Sequence, residues 1–392
     1  MNLPNSVVQQ TSLPRLRFDR NELAGAFGDI GTDLPLVVGV SLAAGLDGAS
    51  VLTMFGVMQV LTGLRYRIPM PVQPLKAMAA IVIAQGVTGS VLFGAGLAIG
   101  LFMLIATLTG FIDWLARVVP KTVVRGIQFG LGLQLALLAL REYIPADGIP
   151  GYWFAGAAFA VAVFLLGNRK YPAALFLVLI GFVYAFAFNL QVPEIVRGIG
   201  FNLPRFHLPQ WTDVFTGFIL LALPQIPLSL GNSILATRQV SEDLFPERPL
   251  TIRQISLTYA FMNLVNPFFG GIPTCHGSGG MAGHYAFGGR TGGSVIIEGM
   301  LYIALGLFFG RGFDAVVGVF PLPILGVILL FEGLALMLLV RDLFASRKDL
   351  IVILLVGLMA VGLPYGYLVG LVIGVVLFRL MHSGRLPLGN ES

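Results

Sequence analysis

From residue 21 to residue 381 the chain is a series of apolar runs separated by short breaks of Gly, Pro or charge. That rhythm constrains the fold more than any motif, because in lipid every backbone polar group must be satisfied internally and only helices or closed barrels manage it. The runs fall at 21–43, 48–64, 69–86, 91–115, 121–140, 151–167, 172–190, 213–236, 251–266, 270–287, 293–310, 321–340, 349–363 and 365–381, fourteen in all. Charged residues are 11% of the chain, against about 25% in soluble domains. An all-α polytopic membrane protein is therefore expected, with the bilayer as its first partner. The first twenty residues carry Arg15, Arg17 and Arg20 and lack the apolar core of a signal peptide. The single cysteine, Cys275, permits neither an internal disulfide nor a cysteine cluster for a metal. The net charge of +5 follows membrane orientation and implies no nucleic-acid partner.

Basic residues test the segment count. With the N-terminus in the cytoplasm, nineteen Lys and Arg fall on inside segments and four outside (Arg141, Arg197, Arg205, Arg311), with Lys76 left in the membrane. This positive-inside bias predicts that both termini are cytoplasmic. An internal repeat accompanies it. Asp113 and Asp314, Pro120 and Pro321, and Gly132 and Gly333 share an offset of 201, which also lays Gln73-Pro74 over Thr274-Cys275. Seven spans per half is an odd number, so the halves are inverted. The predicted organisation is a tail at 1–20, a first repeat at 21–190, a linker at 191–212, a second repeat at 213–382 and a tail at 383–392.

One interrupted segment stands out in each half. In the first, Pro69, Pro71 and Pro74 forbid a helix through 69–74. Pro74 suits the first position of a helix running to Gly86, which is too short to span a bilayer of about 30 Å. Its first-turn N–H groups (Leu75, Lys76, Ala77) and positive dipole end then sit at membrane depth beside the Lys76 ammonium. An anion would relieve both; a Pro-kinked helix whose lysine snorkels to the interface fits the same residues. In the second half, Gly270 to Tyr285 repeats the break. Thr274 is placed to cap a short helix exposing N–H groups at His276, Gly277 and Ser278. Its glycines suit close approach of a ligand or simply helix packing. His276 is either a donor or titrating group for the ligand or a hydrogen-bonded structural histidine. Cys275, His276 and His284 make a poor metal set at their spacing, so no metal or cofactor is expected.

Three further groups lie within the spans. Asp29 and Asp33, in FGDIGTDLP with Thr32 between them, share a helix face; they face Lys76 or pair with Arg20 or Arg67. Gln225, Ser229 and Asn232 form a neutral polar stripe, suited to an oxyanion, a cation or interhelical bonding. Glu298 and Glu332 are lone acids that serve either as proton sites or as structural partners of arginine.

At these residues the chain resembles the molybdate transporter family within the sulfate-permease superfamily. The matching stretches are FGDIGTDLP (27–35), PMPVQPLKAMAA (69–80), ALPQIPLSLGNSI (222–234) with SEDLFP (241–246), and GGIPTCHGSGGMAGHYAFGGRTG (270–292). Leu75 stands where the family more often has Met. The superfamily usually carries a soluble regulatory domain after the last span, and about ten residues follow it here. The resemblance implies a seven-plus-seven inverted repeat divided into core and gate domains. It also implies an oxyanion site between the third- and tenth-span half-helices, with spans one and eight contributing.

Residues and resemblance together predict a secondary transporter of a tetrahedral oxyanion, molybdate first and sulfate next, working by alternating access in a bacterial inner membrane. Gln73, Leu75, Lys76 and Ala77 would bind one side of the anion, and Thr274, His276, Gly277 and Ser278 the other. Gln225 and Asn232 would line the site, with Asp29, Thr32, Asp33, Ser229, Glu298 and Glu332 as coupling or core-lining candidates. A nucleobase permease of the same fold is the nearest alternative, opposed by Gln225 and the acid-free stretch 270–292. An intramembrane enzyme lacks a catalytic motif, and a passive channel stays open. A coupling proton or sodium ion and a homodimer complete the candidate partners.

Overall fold

The computed structural model describes residues 15–165, 173–184, 198–318 and 320–383. The side chains of Thr32 and Glu332, two of the coupling candidates, lie outside what it describes. The first half contains α1 (Arg20–Ala44), α2 (Gly48–Tyr66), β1 (Gln73–Pro74), α3 (Lys76–Gln85) and α4 (Gly89–Leu108). It continues with α5 (Phe111–Val118), α6 (Lys121–Leu138), α7 (Gly148–Phe164) and α8 (Ala173–Tyr184). The second half opens with α9 (Trp211–Leu244). There follow α10 (Ile252–Val265), β2 (Thr274–Cys275), α11 (Ser278–Ala286), α12 (Gly293–Gly318), α13 (Leu322–Leu338), α14 (Arg347–Gly362) and α15 (Gly366–His382). Among the described residues five helices are long and apolar enough to cross a membrane unbroken, or six if the bent α1 counts as one span. The other runs form shorter helices.

Proline chemistry shapes two of these helices. Pro35 has no N–H for the carbonyl four residues back, and α1 bends by 44° between Arg20–Ile30 and Asp33–Ala44. In α9, Pro224 and Pro227 likewise have no N–H to donate to the Leu220 and Leu223 carbonyls four residues back. The helix adapts by passing through π-helical turns at Phe218–Ala222 and Ser229–Leu235.

Inversion of the halves is visible in two separate contacts. β1 and β2 pair antiparallel, Gln73 with Cys275 and Pro74 with Thr274. Exchanging the halves by the sequence offset turns one of these pairs into the other, so the ladder straddles a pseudo-two-fold axis. Gly132 in α6 and Gly333 in α13, also equivalent by that offset, meet as well. A Cβ on either would overlap the other's carbonyl oxygen. Close approach at this crossing needs glycine on both sides.

Helices sort into two groups. α2 lies along α12, α4 against α9 and α10, and α1 against α11 and α12, forming a core. α6 packs against α13 and α14, α7 against α13, and α14 against α15, forming a gate. The groups meet where α3 rests on α6 and α9 on α15. This is the seven-plus-seven inverted-repeat architecture with its two half-helices inside the core.

Candidate substrate site

The ladder of β1 and β2 fixes where the half-helices start. Each strand is two residues long and leads within three residues into a helix N-terminus, α3 at Lys76 and α11 at Ser278. Two dipole-positive ends are thus held side by side. The sequence places the first start at Pro74. Pairing with Thr274 keeps Pro74 extended instead, Leu75 becomes the N-cap, and the Leu75 N–H donates to the Pro273 carbonyl at 3.1 Å. Leu75 therefore has no N–H left for a ligand in this arrangement.

The first turn of α3 already has an acceptor. Gln225 Oε1 takes the N–H groups of Ala77 at 2.9 Å and Met78 at 3.2 Å. Its amide nitrogen donates to Ser229 Oγ at 3.0 Å, and that hydroxyl lies 2.8 Å from the Tyr259 hydroxyl. All three residues are buried. A side-chain oxygen thus sits where an oxyanion's oxygen would bind. Asn232 does not continue the stripe. The π turn at Ser229–Leu235 breaks the 3.6-residue period, and Asn232 lines a different space: a cavity of about 390 Å³ between α6 and α9, with Lys121, Arg125, Gln128, Pro227 and Gly231. Lys121 and Arg125 both bond Asp342 there, at 2.6 and 2.7 Å.

The second tip is held differently from the expectation. α11 has Gly277 at its N-cap with no side-chain cap. Thr274 does not cap it, because strand pairing leaves Thr274 three residues upstream, where Asn263 and Asn266 of the α10 end hold it. The Thr274 N–H donates to Asn263 Oδ1 at 3.0 Å, and Asn266 Nδ2 donates to Thr274 Oγ1 at 3.2 Å. His276 is fully buried; Nδ1 meets the Pro71 carbonyl at 3.0 Å and Nε2 the Thr258 hydroxyl at 2.7 Å. Both ring nitrogens turn to protein partners, and neither is offered to an anion here. Gln73 donates from Nε2 to Asp29 Oδ1 at 2.7 Å. Its side chain crosses the start of α11 so closely that a Cβ at Gly277 would overlap Gln73 Oε1 and one at Gly280 would overlap Asp29 Oδ2. Glycine at both positions is what lets the first half's polar groups reach the second half's helix tip.

Burial picks out the open side of this junction. Across 69–77 and 271–281 every residue is buried except Lys76, Ser278 and Gly279. A Cβ at Gly279 would meet nothing within 4 Å. A lysine at the head of one half-helix and the first turn of the other are thus the parts of the junction reached from outside.

A family model described as "Molybdate transporter of MFS superfamily" matches residues 21–135 and 217–336, both halves with both breaks. The chain belongs to the molybdate transporter family. It is 32% identical over 409 residues to Molybdate transporter 2 of Arabidopsis thaliana, covering 92% of this chain and 87% of that protein. Molybdate transporter 1 of Chlamydomonas reinhardtii is 28% identical over 470 residues, with 90% of each covered. Among solved structures, murine solute carrier 26 family member A9 in its inward-facing state superposes with a TM-score of 0.69 at 15% identity, covering 93% of this chain and 68% of that one. The transmembrane domain of the cyanobacterial bicarbonate transporter BicA gives 0.65 at 18% identity over 93% of this chain and 100% of that chain. At those identities the likeness is one of fold, and it makes the protein an integral membrane protein of this transporter architecture.

Several site residues escaped the sequence reading. Tyr259 and Asn263 of α10, with Asn266 just past its end, are polar residues at spacings of four and three, a signal available in the sequence. Glu22, fully buried, joins α1 to the start of α12. His284 lies 3.2 Å from Glu298, both fully buried.

Proposed function

We propose that this protein is a secondary transporter that moves a tetrahedral divalent oxyanion, molybdate ahead of sulfate, by rocking the gate against the core. The observation that carries this is the open side of the half-helix junction, where Lys76 and the Ser278–Gly279 turn are accessible between two dipole-positive helix ends. An oxyanion there would meet N–H groups from both halves, the recurring use of broken helices in inverted-repeat transporters. Membership of the molybdate transporter family supports molybdate, and the named relatives are transporters, which favours transport over chemical turnover. The fold likeness to solute carrier 26 supports a place in the sulfate-permease superfamily. The basic-residue bias supports cytoplasmic termini. Calorimetric titration of the purified protein with molybdate, tungstate and sulfate tests the reading: saturable binding of molybdate, with sulfate weaker, is expected, and no binding of any of the three overturns it.

Gln225 gives that site a built-in competitor. To admit an anion oxygen at the Ala77 and Met78 N–H groups, its side chain must turn away from them. Gln225→Glu keeps the acceptor and adds a charge favourable to a helix N-terminus, by about 0.3–1 kcal/mol. The same charge repels an oxyanion. The variant is expected to melt at or above the wild-type temperature in detergent while its molybdate titration goes flat. Wild-type affinity in Gln225→Glu would move the anion away from the α3 tip.

A further inference from the structure

Behind the half-helix junction lies a cluster of ionisable side chains with few hydrogen bonds. Asp33 on α1 is fully buried, and neither carboxylate oxygen has a hydrogen-bond partner among the described residues. The same holds for both oxygens of Glu298 on α12 and for the hydroxyl of Tyr302 one turn further on. His284 on α11 approaches Glu298 to 3.2 Å from Nε2 to Oε2, and both side chains are fully buried. Groups facing them complete the inventory. Asp29, Glu298, Lys76 and Cys275 lie within electrostatic range of Asp33; Asp29 and Glu22 lie within range of His284; Asp29 and Asp33 lie within range of Tyr302. The α2 residues packed on this part of α12 contribute the neutral Thr53 and Gln59.

A carboxylate stripped of water and of donors is strongly disfavoured, and a proton is the simplest remedy. A bound metal ion would need ligands that converge, and among the described residues no three His, Cys, Asp or Glu side chains do so. The acids lie instead along α1 and α12, with the imidazole of His284 against Glu298, an arrangement suited to taking up and passing protons. The cluster also has a mechanical link to the anion site. Asp29, one turn before Asp33, holds Gln73 at the junction.

Resting on the oxyanion-transporter reading above, we propose that Asp33, Glu298 and His284 form the proton-binding site that couples transport to the proton gradient. Protons bound here offset the charge of the incoming anion, and Asp29 with Gln73 relays the state of one site to the other. The three groups lie on α1, α11 and α12, so the proton travels with the core helices that carry the anion.

Wild-type protein in liposomes, with the membrane potential clamped by potassium and valinomycin, gives the test. An inward gradient of one pH unit is expected to drive molybdate accumulation up to about tenfold per coupled proton. Glu298→Gln and, separately, Asp33→Asn are expected to lose that accumulation while still binding molybdate and exchanging internal for external molybdate. Accumulation in wild type that ignores the pH gradient, or follows a sodium gradient instead, overturns the proposal without any variant. So does wild-type acid-driven accumulation in both variants. A wild type that neither binds nor exchanges molybdate, tungstate or sulfate overturns the oxyanion reading itself, a different result from transport without proton coupling.

Discussion

Replacing Lys76 by Met is expected to abolish molybdate uptake while the protein still reaches the membrane. Met keeps the unbranched stem and volume of lysine, and α3 is a helix either way, so the fold has little reason to change. What disappears is the ammonium at the first position of α3, the one charged side chain reached from outside among residues 69–77. Hydrogen bonds to charged groups contribute about 1.5–3 kcal/mol each, so one lost contact to a dianion lowers affinity about 10- to 100-fold. Lys76 also lies within electrostatic range of Asp33, and a lysine that merely balanced that acid would give the same single-variant result. The double variant Lys76→Met with Asp33→Asn separates the two roles. If Lys76 touches the anion, molybdate binding stays lost in the double variant; if it only balances Asp33, binding returns. Normal binding by Lys76→Met alone would remove this residue from the mechanism.

How much of this was legible in the sequence depends on whether the signal was local. Pro69, Pro71 and Pro74, and the glycines from 270 to 280, mark the two breaks because each acts on its own backbone. The offset of 201 was legible for the same reason: Gly132 and Gly333 mark one helix crossing from both sides, and the structure puts them in contact. The β1–β2 ladder was not legible, since a two-residue strand has no period to detect. Its consequences went with it, namely the helix starting at Lys76 rather than Pro74 and the Leu75 N–H taken by Pro273.

Other losses came from a wrong period or from distance along the chain. The stripe of Gln225, Ser229 and Asn232 assumed an α-helix, and the π turn sent Asn232 to the α6 side. Two prolines signal disturbance but not the direction in which the helix will rewind. His284 and Glu298 are fourteen residues apart across a chain reversal, so no helical spacing joins them. The sequence sets His284 beside Cys275 and His276, while its actual neighbour lies on α12.

Glu22 is the other residue whose loss should be large, this time for assembly. Its carboxylate is fully buried at the third position of α1, and it accepts backbone hydrogen bonds from a distant segment: Arg290 at 3.1 Å, Thr291 at 2.9 Å and Ser294 at 3.1 Å. Arg17 approaches the same carboxylate at 3.4 Å. The acid thus caps the start of α12 from another helix, where N–H groups lack intrahelical partners and the dipole favours negative charge. Glu22→Ala strands the buried N–H groups of Thr291 and Ser294 away from water and frees that of Arg290, a cost of about 3–5 kcal/mol against a usual total of 5–15. Most of the monodisperse peak in detergent chromatography is therefore expected to disappear. Glu22→Gln should keep part of it, because the amide oxygen still serves Arg290 and Thr291 while its NH2 turns toward the Ser294 N–H. The order wild type, Gln, Ala in melting temperature is the specific expectation; an Ala variant as stable as wild type would mean that α1 and α12 are held by helix packing alone.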